Sequence, residues 1–367
     1  MQNIVLGNAA RVAIVSLLVC AGISSALSVT STEGKAKMQS EAPEITYKNP
    51  VWAQYMADPA ASKFRGEYYA YGTTTTPLDR QFSVLHSKDL VNWRSLGGAL
   101  TPLKDPAKTD YWAPEVTERD GTYYMYYSAG GPAGEHHQLR VATAKDPAGP
   151  FVDTGKVLMP EEPFSIDAHP FRDPKTGKWY LFFAKDFFDG RVGTGVAAVE
   201  LGDDMTSVVG PVKTIVRASA DWQIFERNRT WYGKTWDAWH TVEGPFMVFC
   251  DGKYYCLYSG GRWDSENYGL GYAVADEVLG TYRDTEDSHG PSVLQGTSTL
   301  LGPGHNSVVL GPDDKTLFVV YHAWDPGHTA RRMCLDPLVW VDGKPKCDGP
   351  SSDTKTVKLE LAATAAK

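Results

Sequence analysis

The chain contains five copies of one short aromatic motif, and this repetition restricts the folds open to it more than any other feature. The copies begin at Gly66, Gly121, Gly177, Gly252 and Lys315 and read GEYYAYGT, GTYYMYYSA, GKWYLFFAK, GKYYCLYSG and KTLFVVYHA. Each is a turn followed by a run of β-branched and aromatic residues, which is typical of a strand entered from a tight hairpin. Helical periodicity is almost absent from the rest of the sequence.

The spacing of the copies indicates how the strands assemble. Successive copies are separated by 55, 56, 75 and 63 residues, and a second strand-like run follows each one. A repeat of about 40–50 residues with four short strands is the signature of a propeller blade, and the excess length is expected in loops. We therefore predict an all-β, five-bladed β-propeller over residues 45–350. A β-sandwich would not require five copies in phase.

Composition narrows the class of protein. Of 367 residues, 42% are hydrophobic and 22% charged, which excludes a disordered, collagenous or disulfide-dense chain. The net charge of −8 without any basic run argues against a nucleic-acid partner. Length alone suggests two domains, whereas the repeats predict one.

The N-terminus carries a candidate export signal. Residues 12–21 form an apolar run that follows Arg11 and precedes small residues, with cleavage expected near Ala26 or Ser28. About ten apolar residues are too few to span a bilayer but match a secretory signal over residues 1–28; lipid attachment at Cys20 is the alternative. We expect a secreted or periplasmic protein without a membrane span, with a flexible segment over 29–44 and a C-terminal tail over 351–367 that packs on the propeller.

Four cysteines remain after signal removal, namely Cys250, Cys256, Cys334 and Cys347. An exported chain permits disulfides, of which the local pairs 250–256 and 334–347 are simplest. Reduced, buried thiols are the other possibility. A zinc site is disfavoured because no CxxC or histidine cluster accompanies them.

Polar and aromatic residues lie 8–10 residues before each repeat. They are Asp58, Trp112, Asp167, Glu243 and His305. In a propeller the innermost strands line the central channel, so these positions should converge at one end of the axis. Each acidic residue alone could start a turn, cap a loop or end a solvated strand, but three carboxylates at matching places in separate blades indicate a site.

Converging carboxylates suit acid–base chemistry. Repulsion between close carboxylates moves their pKa values apart, so that one stays protonated while another is ionised. Glycoside hydrolysis requires such a pair. A sugar-binding propeller without activity is the alternative from another class of function. Such a protein usually repeats its binding groups in every blade, whereas the set here is asymmetric.

The blade segments resemble glycoside hydrolase family 43 over about residues 49–345. The resemblance is carried by YMADPAASKFRGEYYAYGT, TDYWAPEVTERDGTYYMYYSA, SIDAHPFRDPKTGKWYLFFAKD, TVEGPFMVFCDGKYYCLYSGG and GPGHNSVVLGPDDKTLFVVYHAWD. It implies a five-bladed propeller that acts on arabinose- or xylose-containing polysaccharides with inversion. It also implies that Asp58 is the general base and Glu243 the general acid, roughly 6.5–9.5 Å apart, and that Asp167 orients Glu243 and raises its pKa.

The resemblance implies roles for three further residues. Arg331 matches an arginine that reaches the sugar, although an outer-strand surface charge is the alternative and Arg332 lies next to it. His305 matches a histidine that in many members of the family binds an axial ion, often calcium, through water, and we also expect His305 to contact the sugar. The resemblance thus allows a structural calcium, whereas the chemistry needs no cofactor. Trp112 is expected to pack on a sugar face, with blade core as the alternative.

The long spacing between the third and fourth repeats contains four tryptophans, Trp222, Trp231, Trp236 and Trp239. Long loops often carry function, and we expect this insert to close one side of the cleft into a pocket, with Trp239 binding sugar. A pocket favours an exo-acting α-L-arabinofuranosidase, here expected to be a monomer. A β-xylosidase and an endo-α-1,5-arabinanase are the alternatives within the family.

Overall fold

The computed structural model describes residues 5–6, 43–74, 80–134, 136–284 and 290–360. The expected signal over residues 1–28 and the segment 29–42 lie outside the described residues, apart from the backbone of Val5–Leu6. No helix in the described ranges is long and apolar enough to cross a membrane. Those ranges contain strands and two short 3₁₀ helices, Pro132–Gly134 and Asp221–Gln223.

The strands form five antiparallel sheets that are the blades of a five-bladed β-propeller, which confirms the predicted fold class. Strands are given from the axis outward: blade I, Ala57–Phe64, Glu67–Thr73, Gln81–Ser87 and Trp93–Leu100; blade II, Asp110–Arg119, Thr122–Gly130, Gln138–Ala144 and Val152–Val157; blade III, Ser165–Arg172, Trp179–Phe187, Gly193–Leu201 and Val208–Val216; blade IV, Val242–Cys250, Lys253–Gly260, Gly269–Ala275 and Arg283–Asp284; blade V, Leu301–Leu310, Leu317–Trp324, Arg331–Val341 and Lys344–Cys347. Val5–Leu6 pairs in parallel with the inner strand of blade IV.

Most aromatic residues of the repeats fill the spaces between blades. Tyr71, Tyr123 and Tyr127 pack between blades I and II, and Tyr254 and Tyr258 pack between blades III and IV, all buried. An aromatic side chain buries about 150–250 Å² of surface, so the recurring motif supplies the propeller core. The aromatic excess of the sequence is thus largely structural.

A separate two-stranded sheet joins the segments that flank the propeller in sequence. Glu44–Lys48 pairs with Thr354–Lys358 and packs on blades I and V. The buried carboxylate of Asp336 accepts hydrogen bonds from Tyr47, Tyr321 and Lys355. This shared acceptor ties the N-terminal strand, blade V and the C-terminal strand together.

The long insert folds as a β-hairpin at the edge of blade III. Its strands, Ile224–Trp231 and Lys234–His240, pair with each other, and His240 bridges to Gly193 of the blade. The extra length between the third and fourth repeats is therefore an ordered hairpin.

Cys250, Cys256, Cys334 and Cys347 are free thiols, and the first three are buried. The local disulfides considered above are absent among these four residues, so the alternative of reduced thiols describes the structure.

Candidate active site

A cavity of about 700 Å³ lies at one end of the propeller axis. All five blades contribute to its lining, which consists of Tyr55, Asp58, Thr73, Thr74, Gln81, Thr109, Asp110, Tyr111, Trp112, Ile166, Asp167, Glu243, Trp263, His305 and Arg331. Six of the seven site residues predicted from the sequence are in this set. The seventh, Trp239, lines a neighbouring cavity.

Each inner strand has a β-bulge at its start, and the bulge sets where its side chain points. Asp58, Asp167 and His305 are themselves the left-handed residues of their bulges, with φ of 52°, 59° and 52°. Trp112 and Glu243 stand one residue earlier, before left-handed residues at positions 113 and 244. The five side chains therefore fall into two groups, those on the bulge residue and those on the residue before it. Adjacent residues on a strand project in different directions, so the two groups point differently.

The bulges are tied together by hydrogen bonds between neighbouring blades. The backbone N–H of Asp58 donates to His322 Nδ1 (3.1 Å), and that of His305 donates to Ser259 Oγ (2.7 Å). Ala184 holds the corresponding second-strand position in blade III and has no polar side chain. In blade III the Asp167 carboxylate acts as the acceptor instead of a second-strand side chain. It accepts a hydrogen bond from the backbone N–H of Gly244 at 3.0 Å. Asp167 thus fixes the backbone beside Glu243.

Asp58 is held as a carboxylate. Arg331 Nη1 donates to its Oδ1 at 3.2 Å, and Nδ1 of both His305 and His322 lies 3.4 Å from the same oxygen. Burial alone would raise the pKa of Asp58, but His305, Arg331, His322 and a hydrogen bond from Thr73 hold it well below its usual range. Burial also lowers the pKa of both histidines, so Arg331 is the partner that is charged at neutral pH.

Glu243, in contrast, keeps its proton up to about neutral pH. Burial and, to a smaller extent, the charge of Asp58 raise its pKa, a hydrogen bond from Tyr268 and the charge of Arg331 lower it, and the net result is a pKa raised to about 7. The Tyr268 hydroxyl donates to Glu243 Oε1 at 2.7 Å. The pKa of Asp167 is raised as well, by burial and then by repulsion from Glu243 and Asp58. The three carboxyl groups therefore differ in protonation state near pH 7, with Asp58 ionised and the other two favouring the protonated form.

Arg331, and not Arg332, points into the cavity. Its guanidinium is buried, donates to Tyr55 Oη at 2.9 Å and lies 4.5 Å from the ring of Trp263. Arg332 lies on the other face of the strand, where it bonds the carbonyl of Ala53. The alternative of a surface charge thus describes Arg332 alone.

The site has no ready-made cage for a metal ion. Within the described ranges, no group of three or more His, Cys, Asp or Glu side chains could hold one, whereas calcium takes six to eight oxygen ligands. His305 lies beside Asp58, and His322 Nδ1 is occupied as a hydrogen-bond acceptor. The donor set does not fit a protein-built calcium site, so no step below passes through a metal. An ion bound at His305 through water stays a prediction.

The predicted aromatic residues divide between sugar-accessible and core positions. Trp112 is half-buried, lines the axial cavity and stacks on His137 with ring centroids 3.6 Å apart. Trp239 is buried within the insert, where Trp231 and Trp239 line the neighbouring cavity. Trp222 stacks on Tyr258 in the core between blades III and IV.

Sequence reasoning missed several residues of the site, including Tyr55, Trp263, Tyr268 and His322. Tyr268 and Trp263 come from the blade IV loop between the second and third strands, outside the repeated motif. His322 lies within the last repeat, KTLFVVYHA, and stacks on Tyr268 with ring centroids 5.8 Å apart and an interplanar angle of 6°. The signal available for His322 was its register: it pairs with Gly304, directly before the bulge residue His305.

Comparisons with known proteins agree with this fold. A family model described as "Glycosyl hydrolases family 43" matches residues 47–345. A relative from Aspergillus niger named beta-D-galactofuranosidase xynD is 29% identical, covering 79% of this chain and 81% of that protein. An extracellular exo-alpha-(1->5)-L-arabinofuranosidase from Streptomyces chartreusis is 27% identical, covering 83% and 90%. A crystal structure described as a thermostable family-43 glycoside hydrolase is 33% identical with a TM-score of 0.75, covering 86% of this chain and 100% of that one.

Proposed function

The chain belongs to glycosyl hydrolase family 43, and from this membership we propose that it is an exported, inverting hydrolase that releases terminal arabinofuranosyl residues from arabinose-containing polysaccharides. The observation that carries the proposal is the split protonation of two carboxyl groups facing one cavity. Asp58 is ionised against Arg331, while burial raises the pKa of Glu243 to about 7. A lectin has no need of such a pair.

The reaction follows from these two states. Asp58 accepts a proton from a water molecule as the water oxygen bonds to the anomeric carbon. The bond from that carbon to the leaving oxygen breaks, and Glu243 gives its proton to the leaving oxygen. The product sugar then has the opposite anomeric configuration. Asp167 positions Glu243 by accepting the hydrogen bond from the neighbouring Gly244 N–H.

Arg331 and Trp112 are proposed to hold the sugar. The guanidinium of Arg331 donates hydrogen bonds from a fixed plane and suits vicinal hydroxyls. The ring of Trp112 offers an apolar face to one side of the sugar. His305, whose Nδ1 lies 3.4 Å from Asp58 Oδ1, completes the polar end of the pocket.

The exo preference is supported by the insert, because its residues Phe225, Trp231 and Trp239 line a cavity that meets the catalytic site at Glu243. Walls on that side favour a pocket over an open groove. Two Streptomyces relatives are named extracellular exo-alpha-(1->5)-L-arabinofuranosidases. Their names also support export, in agreement with the expected signal.

The substrate is tested with aryl α-L-arabinofuranoside, aryl β-D-xyloside and aryl β-D-galactofuranoside, together with linear arabinan. We expect the arabinofuranoside to be hydrolysed fastest and arabinan to yield monomer without intermediate oligomers. Early oligomers would indicate an endo-arabinanase, and preferred hydrolysis of the xyloside would indicate a β-xylosidase. Hydrolysis of none of these glycosides would overturn the proposal.

A further inference from the structure

A second cavity of about 290 Å³ adjoins the axial cavity. The two share Trp112, Ile166, Glu243 and Trp263 in their linings. Asp58 and the other groups around it line only the axial cavity. Glu243 is therefore the one carboxyl group of the three that faces both spaces.

Among the polar residues that line the second cavity, Asp186 is a buried carboxylate with one oxygen that accepts no hydrogen bond from the described residues. Its side chain is 5% exposed, and Tyr232 Oη donates to its Oδ2 at 2.8 Å. No donor in the described part of the chain reaches Oδ1. An unsatisfied buried acceptor is costly, and burial raises the pKa of Asp186 to about 6. Asp186 Oδ1 is therefore a buried acceptor without a hydrogen-bond donor among the described residues.

The rest of the cavity is aromatic and is supplied largely by the insert. Phe225, Trp231 and Trp239 line it, and the guanidinium of Arg229 lies 4.7, 4.9 and 5.2 Å from their respective ring centroids. The opposite charges of Asp186 and Arg229 leave little net field for an ionic ligand. Apolar ring faces beside a hydrogen-bond acceptor suit a neutral sugar unit.

The stereochemistry of the reaction indicates where the leaving sugar would lie. In an inverting hydrolysis the attacking water and the leaving group lie on opposite faces of the anomeric carbon, and the general acid contacts the leaving oxygen. Here Asp58 is confined to the axial cavity, whereas Glu243 also faces the second one. A sugar cleaved in the axial cavity would direct its leaving group past Glu243.

We propose that the second cavity is the binding subsite for the leaving sugar, and that Asp186 Oδ1 accepts a hydrogen bond from one of its hydroxyl groups. This inference rests on the proposed function and deepens it: the insert selects the sugar on the leaving side of the cleaved bond. Asp186 and Trp231 are then specificity residues for the leaving group.

The test compares two substrates that share the cleaved sugar. One is an aryl glycoside, whose leaving group has no sugar hydroxyls, and the other is the matching disaccharide. For Asp186→Ala we expect kcat/KM on the disaccharide to fall about 10- to 100-fold more than on the aryl glycoside, as the loss of a hydrogen bond to a charged group implies. Asp186→Asn, which keeps an acceptor oxygen, is expected to lose less than Asp186→Ala.

Tyr232→Phe is the matched control, because it removes the structural partner of Asp186 and leaves Oδ1 in place. Its ratio of the two kcat/KM values should stay within about threefold of the wild type. Parallel losses on both substrates in Asp186→Ala, or no loss on either, would overturn the subsite while leaving the proposed hydrolase intact. A wild type that cleaves neither substrate would overturn both.

Discussion

Replacing Tyr268 by phenylalanine removes one hydroxyl from the site and should move the pKa of Glu243. Tyr268 donates to Glu243 Oε1 at 2.7 Å, and a hydrogen bond to the charged form lowers a carboxyl pKa. The phenylalanine ring can keep the stacking on His322 (5.8 Å). The variant therefore isolates the hydrogen bond from the packing.

The magnitude follows from the worth of that bond. A hydrogen bond to a charged group contributes about 1.5–3 kcal/mol, and one pKa unit corresponds to about 1.4 kcal/mol. Tyr268→Phe should thus raise the pKa of Glu243 by about one to two units from its starting value of about 7. Because the protonated acid is the active form, the alkaline limb of the kcat/KM profile should move to higher pH by that amount.

The assay measures kcat/KM between pH 4 and 10 on a glycoside with an alkyl leaving group, which needs protonation to depart. Tyr258→Phe is the matched control, since Tyr258 is equally buried in the same blade but donates to Asp284 at 2.8 Å. Its alkaline limb should not move. An unchanged or lowered limb in Tyr268→Phe would refute the assignment of Glu243 as the acid set by this hydroxyl.

Four further substitutions, two of them with matched controls, test other parts of the site. Asp58→Asn and Glu243→Gln should each lower kcat by about 10²- to 10⁴-fold with unchanged circular dichroism, and near-normal turnover by either would contradict its role. Arg331→Met should shift the acid limb of kcat/KM to higher pH because Asp58 loses its cationic partner, whereas Arg332→Met should not; equal shifts would argue against the ion pair. Gly304→Ala should lower the free energy of unfolding by about 1–3 kcal/mol in chemical denaturation, because the added Cβ would lie 2.1 Å from the Tyr268 ring. Gly327→Ala is the control, since its Cβ would make only ordinary contacts at 3.4 Å. Equal losses in the two variants would refute the clash.

The predicted axial ion has its own measurement. If His305 binds calcium through water, added calcium should raise the thermal unfolding temperature and a chelator should lower it, with His305→Ala insensitive to both. The same unfolding temperature with calcium and with chelator would contradict the ion.

Local patterns in the sequence were enough to predict the blades and the inner ends of their first strands. The five aromatic motifs carry both the strand signal and the core between blades, and stepping back from them led to Asp58, Asp167, Glu243 and His305. The offsets of 8–10 residues concealed a finer division, because a bulge adds a residue whose place alternation alone does not reveal. Only the structure shows that Glu243 precedes its bulge while Asp58 and Asp167 occupy theirs.

Long-range contacts could not be predicted in this way. Tyr268 and Trp263 lie on a loop without a repeat, and their place depends on how blades IV and V meet. Trp222 and Trp239 both belong to the tryptophan-rich segment between the third and fourth repeats, yet Trp222 packs between blades and Trp239 lines the second cavity. That difference arises from the hairpin's docking on blade III, which no local pattern specifies.

The anomeric configuration of the first product tests the roles of Asp58 and Glu243 most directly. Proton NMR during the first minutes of hydrolysis, before the free sugar equilibrates, identifies the anomer released by the wild-type protein. An ionised base acting through water, opposite a protonated acid, predicts a sugar with configuration opposite to that of the substrate. A first product that retains the substrate configuration would contradict it.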